Sequence, residues 1–147
     1  MLENKINRAI QTSGYCKEEI FKDVLKNSDY FLYDLKVFNS EKHVRYCGVD
    51  NQVIKSNYIT LAKSGKKFIT RVPLIPTVTD TKENIESIAK FMAQNNVKKV
   101  EVLPYNKLAG SKYSSLLREY KPDFNDKIES NKVNDIFLEY NIECKEI

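Results

Sequence analysis

Histidine and cysteine are scarce in this sequence. Its 147 residues hold one histidine, His43, and three cysteines, Cys16, Cys47 and Cys144. The cysteines are odd in number, far apart, and form no C-x-x-C pair. A self-contained zinc or iron–sulfur site needs several closely spaced soft ligands, so none is expected. One histidine leaves few nucleophile–base arrangements, and none stands out. On a helix, His43 reads as a structural hydrogen-bonder rather than a base. A P-loop, a G-x-G-x-x-G turn and a paired-carboxylate pattern are all missing. No run of about 18 apolar residues exists, so no membrane partner is expected. The first residues are too charged for a signal peptide, and reduced thiols fit a cytoplasmic location. Arginine is sparse and the lysines form no stripe, which argues against nucleic acid.

What is present suits a soluble globular chain: 41% hydrophobic and 30% charged residues, with a net charge of +4. The length points to a single domain spanning residues 1–147, with a core over 6–120 and a C-terminal extension over 121–147. A chain of this size buries roughly 68–70% of its unfolded surface.

Four segments read as strands: Ile6–Thr12, Tyr30–Leu35, Lys67–Leu74 and Val97–Leu103. Tyr30–Leu35 is aromatic and apolar, as a strand buried on both faces would be. Pro73 and Pro76 are expected to end the regular pairing of the third strand. Between the strands lie helical patterns. Ile20, Phe21, Val24 and Leu25 recur at helical spacing, and a short helix is expected around Ser40–Tyr46, stopped by Gly48. A longer helix capped by Asp50 carries Val53, Ile54, Asn57, Tyr58, Leu61 and Ala62 on one side, with Gly65 at its C-terminal cap. Asp80-Thr81-Lys82-Glu83 resembles a capping box opening another helix. Further helices are expected over Lys112–Tyr120 and around Val133–Tyr140, a linker over Pro122–Asp126 and a short strand within Asn141–Ile147.

Alternating strands and helices predict an α/β fold with a parallel sheet and right-handed crossovers. A full eight-unit barrel takes about 250 residues, so four units take about 125. The chain thus reads as about half a barrel, or as a small open α/β sheet.

In repeated βα architecture all strand exits face one way, so their residues converge. The candidates are Thr12 and Ser13 after the first strand, Asp34 and Lys36 at the second, Arg71 in the third, and Tyr105 and Asn106 after the fourth. Asp34 and Lys36, two apart in a strand, share a face. They can bind both ends of an amino-acid-like ligand, or form a strand-end ion pair. Arg71 lies among apolar residues and needs a partner, either a ligand carboxylate or a protein one such as Asp34. Thr12 and Ser13 form a polar turn with Gly14, which suits a ligand or merely a helix start. Tyr105 could pack and Asn106 could serve a turn.

Taken together, these exits resemble the glycyl radical enzyme activating enzymes of the radical SAM superfamily, pyruvate formate-lyase activating enzyme among them. The matching text is TSGYC at Thr12–Cys16, YDLK at Tyr33–Lys36, HVRYCGVDNQVI at His43–Ile54, RVPLIPTVTDT at Arg71–Thr81 and VLPYNKLAGSKY at Val102–Tyr113. The resemblance implies a partial (β/α) barrel: about four parallel units equivalent to the later strands of a (β/α)6 barrel, plus a C-terminal helix and short strand. It implies S-adenosylmethionine and a [4Fe–4S] cluster as cofactors, a deoxyadenosyl radical, and hydrogen abstraction from a glycine of a partner glycyl radical enzyme. Asp34 and Lys36 would sit beside S-adenosylmethionine, with Lys36 facing its carboxylate. Thr12 and Asp34 match positions near a bound monovalent cation, and Arg71 would line the cavity near cofactor and substrate glycine. Gln11 stands where relatives often carry an acidic residue, and Asn106 where they often carry histidine.

The family's C-x-x-x-C-x-x-C loop and the glycine-rich segment after the second barrel strand are missing here. The resemblance therefore implies the C-terminal part of an activating enzyme, without its cluster, and inactive on its own. The alternative is a non-catalytic module binding a glycyl radical enzyme or a nucleoside; a third reading is an interrupted gene. An uncovered barrel edge along the first strand would invite self-association.

Overall fold

The computed structural model describes residues 6–106, 113–122, 124–125 and 127–147. Five strands form one sheet: β1 (Ala9–Thr12), β2 (Tyr30–Asp34), β3 (Lys67–Leu74), β4 (Lys99–Pro104) and β5 (Glu143–Glu146). Their spatial order is their chain order, and every neighbouring pair is parallel. The intervening helices are α1 (Glu18–Asn27), α2 (Ser40–Cys47), α3 (Gln52–Lys63), α4 (Lys82–Gln94) and α5 (Asn134–Glu139). The predicted α/β architecture is thus present, and the short last strand extends the same sheet.

Crossovers between parallel neighbours place the helices on one side, and burial shows which side. Phe31, Tyr33, Thr70, Val72, Leu74, Val100 and Val102 are buried against helix residues such as Phe21, Tyr58, Ile88 and Phe137. Their in-between neighbours Leu32, Asp34, Ile69, Arg71, Glu101 and Leu103 are only half-buried. The sheet therefore has one helix-covered face and one open face. This corrects the expectation that Tyr30–Leu35 is buried on both faces: only alternate residues are. An aromatic cluster fills the covered side, with Tyr33 edge-on to Phe21 and Tyr58 at centroid distances of 6.1 and 5.4 Å. Both phenols find partners, Tyr33 Oη donating to Ile54 O and Tyr58 Oη sharing a proton with Thr70 Oγ1, each at 2.7 Å. Burial pushes both phenol pKa values far above the ordinary tyrosine range.

Several boundaries differ from the sequence reading for physical reasons. β1 starts at Ala9 rather than Ile6, because its partner β2 starts opposite it at Tyr30. Pro73 does not end β3, since pairing with β4 continues through Leu74 and Pro104. Arg71 O accepts from Leu35 N, so this side of β3 faces β2, which has ended by the level of Pro73. The donor that proline lacks therefore has nothing to meet. The N-cap of α4 is Thr81, which accepts from Asn84 N, one residue later than the predicted box. The N-cap of α3 is Asn51, while Asp50 Oδ1 accepts from Gln52 N at 2.9 Å. Of the expected helix over Lys112–Tyr120, only residues 113–115 are helical, and Lys112 lies outside the described residues. Asp123 and Asp126 of the expected linker and residues 107–112 of the fifth matching segment lie outside them too.

Asp80 is free of the capping role and does something else. Its carboxylate accepts Thr77 N at 2.7 Å and Asn131 N at 2.8 Å, while 2% exposed. It holds the β3 exit, where Thr77 has a positive φ of 63°, against the segment before α5. Ser130 reinforces this by donating to Leu74 O at 2.6 Å and accepting Tyr105 N at 3.2 Å. Replacing Asp80 by alanine removes the acceptor of two part-buried backbone hydrogen bonds, so a loss of about 1–3 kcal/mol is expected in chemical denaturation.

Candidate functional site

The exits of β1 and β2 are held from the helices by buried asparagine amides. Asn57, fully buried on α3, donates to Gly14 O at 2.8 Å and Cys16 O at 2.9 Å. Asn51 donates to Val37 O and Phe38 O, both at 2.8 Å. Asn84 on α4 donates to Lys36 O at 2.9 Å and Thr79 O at 2.8 Å, and accepts Phe38 N at 2.7 Å. An amide side chain has both donor and acceptor ends, so it substitutes for the missing strand partners of these loops. Lys55 adds a bond from Nζ to Phe38 O at 2.8 Å and lies 3.9 Å from the Phe38 ring centroid. Burial lowers the pKa of this ammonium.

Between these loops and α2 lies a cavity of about 290 Å³. Ser13, Asp34 and Lys36 line it together with His43, Cys47 and Asn51. Asp34 ends β2 and Lys36 lies past it, so strand alternation is not what brings them together, as the sequence reading held. The clamped loop does. His43 is 4% exposed with Nδ1 2.6 Å from Val49 O, the structural role expected of it. Burial raises the Cys47 thiol pKa against the opposing charge of Lys36.

Arg71 stands beside Asp34 in register on the open face. Its Nε lies 3.8 Å from Glu101 Oε2 on the next strand, is buried, and has no hydrogen-bond partner. Of the alternatives for Arg71, a ligand carboxylate or a protein one such as Asp34, the structure offers a protein carboxylate, and it is Glu101. The remaining candidates fall elsewhere. Thr12 pairs with Tyr33, on the covered side, and its Oγ1 accepts Gly14 N at 2.9 Å. Tyr105 lines a separate cavity of about 280 Å³ with Ser130 and Asn131, and its Oη is 2.5 Å from Tyr120 Oη. Asn106 is exposed beyond β4.

A carboxylate and an ammonium at one mouth, with a guanidinium alongside, suit a zwitterionic ligand. The cavity volume lies at the lower end of small-molecule sites, enough for part of a larger cofactor. Cluster ligation does not fit these residues. Among the described residues no three His, Cys, Asp or Glu side chains gather as a metal site. Burial raises the pKa of all three free thiols, Cys144 to about 11, away from the thiolate a cluster needs.

No protein-family model matches the chain. Among curated proteins it is 35% identical over 149 residues to the 4-hydroxyphenylacetate decarboxylase activating enzyme of Clostridioides difficile (strain CD196), covering 97% of this chain and 46% of that protein. It is 35% identical to the trans-4-hydroxy-L-proline dehydratase activating enzyme of Clostridioides difficile, covering 79% of this chain and 39% of that protein. The choline trimethylamine-lyase activating enzyme of Oleidesulfovibrio alaskensis (strain ATCC BAA-1058 / DSM 17464 / G20) is 34% identical, with 80% and 39% covered. The chain thus spans about half the length, or less, of these relatives. Among solved structures, a domain of pyruvate-formate lyase-activating enzyme from Bacteroides vulgatus ATCC 8482 superposes with a TM-score of 0.75. That match covers 99% of this chain and 83% of the other at 24% identity, and shows a shared fold.

The turn after β1 gives the site its sharpest structural test. Gly14 has a φ of +71°, and a Cβ there would meet Tyr33 Oη at 1.9 Å and Cζ at 2.5 Å. Gly14→Ala is expected to cost about 2–4 kcal/mol in thermal unfolding, from strained backbone plus overpacking. Adding Tyr33→Phe recovers only part of it, because the ring carbon still collides.

Proposed function

We propose that this chain, a homologue of the glycyl radical enzyme activating enzymes, carries the S-adenosylmethionine-binding wall of such an enzyme. The observation that supports it most is the convergence of Ser13, Asp34 and Lys36 on one cavity, with Arg71 beside Asp34 on the open face. Lys36 takes the carboxylate of the cofactor and Asp34 its ammonium, while the rest of the molecule extends over the open face toward Arg71. Ser13 offers a hydroxyl at the rim. Thr12 shapes the turn through Gly14 rather than touching ligand. Tyr105, in its separate cavity, and Asn106, exposed beyond β4, are not assigned to this ligand.

In the family, S-adenosylmethionine bound beside a reduced iron–sulfur cluster supplies the radical that takes hydrogen from a glycine of the partner. The residues here bind and orient; no step runs through a cluster, whose ligands they do not provide. The partner class we propose is a glycyl radical enzyme, in keeping with the activating-enzyme relatives.

Isothermal titration with S-adenosylmethionine tests the reading. Saturable binding is expected, weakened about 10- to 100-fold by Lys36→Ala through loss of a charged hydrogen bond worth about 1.5–3 kcal/mol. Binding that Lys36→Ala and Asp34→Asn leave unchanged would refute the assignment. Binding of adenosine with equal affinity to both variants would favour a nucleoside-holding module instead.

A second expectation concerns turnover. Incubated without oxygen with iron, sulfide and a strong reductant, the chain is expected to give no deoxyadenosine above a protein-free control. Production dependent on the protein would overturn the cluster-less account.

A further inference from the structure

The end of the sheet where the strands begin carries a second cavity, of about 600 Å³. It lies between the turn from α3 to β3 and the turn from α4 to β4, beside the entry of β2. Five of its twelve lining residues are lysines, Lys63, Lys66, Lys67, Lys98 and Lys99, and none is acidic. The sequence shows how they gather. A Lys-Lys pair stands at the start of two consecutive strands, Lys66-Lys67 at β3 and Lys98-Lys99 at β4. Those strands are parallel neighbours, so the two pairs enter the sheet side by side.

Like charges brought together repel, and the chain offsets only part of this. Lys66 Nζ donates to Ser28 O at 2.8 Å, and Lys99 Nζ lies 3.0 Å from Glu143 Oε2. Asp29, just before β2, is taken by Arg8 at 3.3 Å. Lys63, Lys67 and Lys98 are exposed and pair with no carboxylate among the described residues. Nor are they needed as helix caps. At the ends of α3 and α4, Leu61 O accepts from Ser64 N, and Met92 O accepts from Asn95 N and Val97 N, each at 3.0 Å. The two helix ends together present about one negative charge, well short of the ammonium groups around them.

We propose that this cavity binds a nucleotide by its polyphosphate chain. Lysine binds phosphate as a point charge, and the three ammonium groups without a carboxylate suit a triphosphate. Tyr30 supplies what an inorganic polyanion would not use. It lines the same cavity and is 38% exposed, offering a flat face on which a base can stack. Phe68 is engaged instead with Tyr58, edge-on at a centroid distance of 5.7 Å. The volume falls within the range of small-molecule sites. The eight residues of β3, about 26 Å of strand, separate this cavity from the one at the strand exits.

Isothermal titration at low ionic strength, where screening is weakest, tests the assignment with ATP and inorganic tripolyphosphate. ATP should bind saturably, and about 5- to 100-fold more tightly than tripolyphosphate, the share of a stacked base. Tyr30→Ala should bring ATP down to the affinity of tripolyphosphate. Lys67→Gln combined with Lys98→Gln should weaken both probes about 10-fold or more. Saturating S-adenosylmethionine should not displace ATP. Circular dichroism checks that each variant is folded. If Tyr30→Ala does not fold, Tyr30→Leu keeps bulk while removing the ring and should lower ATP affinity alone. No saturable ATP binding, equal affinity for ATP and tripolyphosphate, affinity unchanged in the folded double lysine variant, or displacement of ATP by S-adenosylmethionine would each overturn the proposal.

Discussion

Three buried amides, those of Asn51, Asn57 and Asn84, fix the geometry on which the candidate site depends. Asn57 and Asn84 sit on helices behind the sheet and Asn51 caps one, and each donates twice to backbone carbonyls of the strand-exit loops. A parallel strand that ends leaves carbonyls and amides with no neighbour, and buried groups of that kind must be paired. The amides pair them from the helix side, so the loops lie against α2 and α3 instead of spreading into solvent. Lys36 owes its place to this, since its own carbonyl is held by Asn84 and its side chain is left to line the cavity. Asn51 and Asn57 keep an unpaired buried oxygen each, a cost tolerated because both amide protons are used.

The sheet supplies the second half of the arrangement. With the described helices on one face, the polar residues of alternate register gather on the other: Asp34, Arg71, Glu101 and Lys145.

Much of the fold was legible in the sequence because its signals are local. Lys67–Leu74 appears with the bounds expected, and the glycines Gly48 and Gly65 stand past their helices with positive φ, as the pattern implied. The grouping of Asp34 with Lys36 also came through, though the cause is a clamped loop rather than strand alternation. What stayed hidden is long-range. Nothing near Asn84 in the chain announces that it reaches Lys36, 48 positions earlier in the sequence. Asn57 did leave a mark, as a polar residue inside the apolar stripe of α3, which is the signal of a buried hydrogen-bonder. The pairing of Arg71 with Glu101 required the β3–β4 register. The placement of Thr12 away from Asp34 required knowing which face each strand buries.

The central claim is that residues distant in sequence form one ligand site at the exits of β1 and β2. The most direct measurement is a nitrogen-15 NMR titration of the whole chain with S-adenosylmethionine, reading every backbone amide. The account predicts shifts concentrated at Ser13–Tyr15 and Asp34–Phe38, with a lesser effect at Arg71. Shifts absent at saturating ligand, or centred on Tyr105 and Ser130 instead, would contradict it.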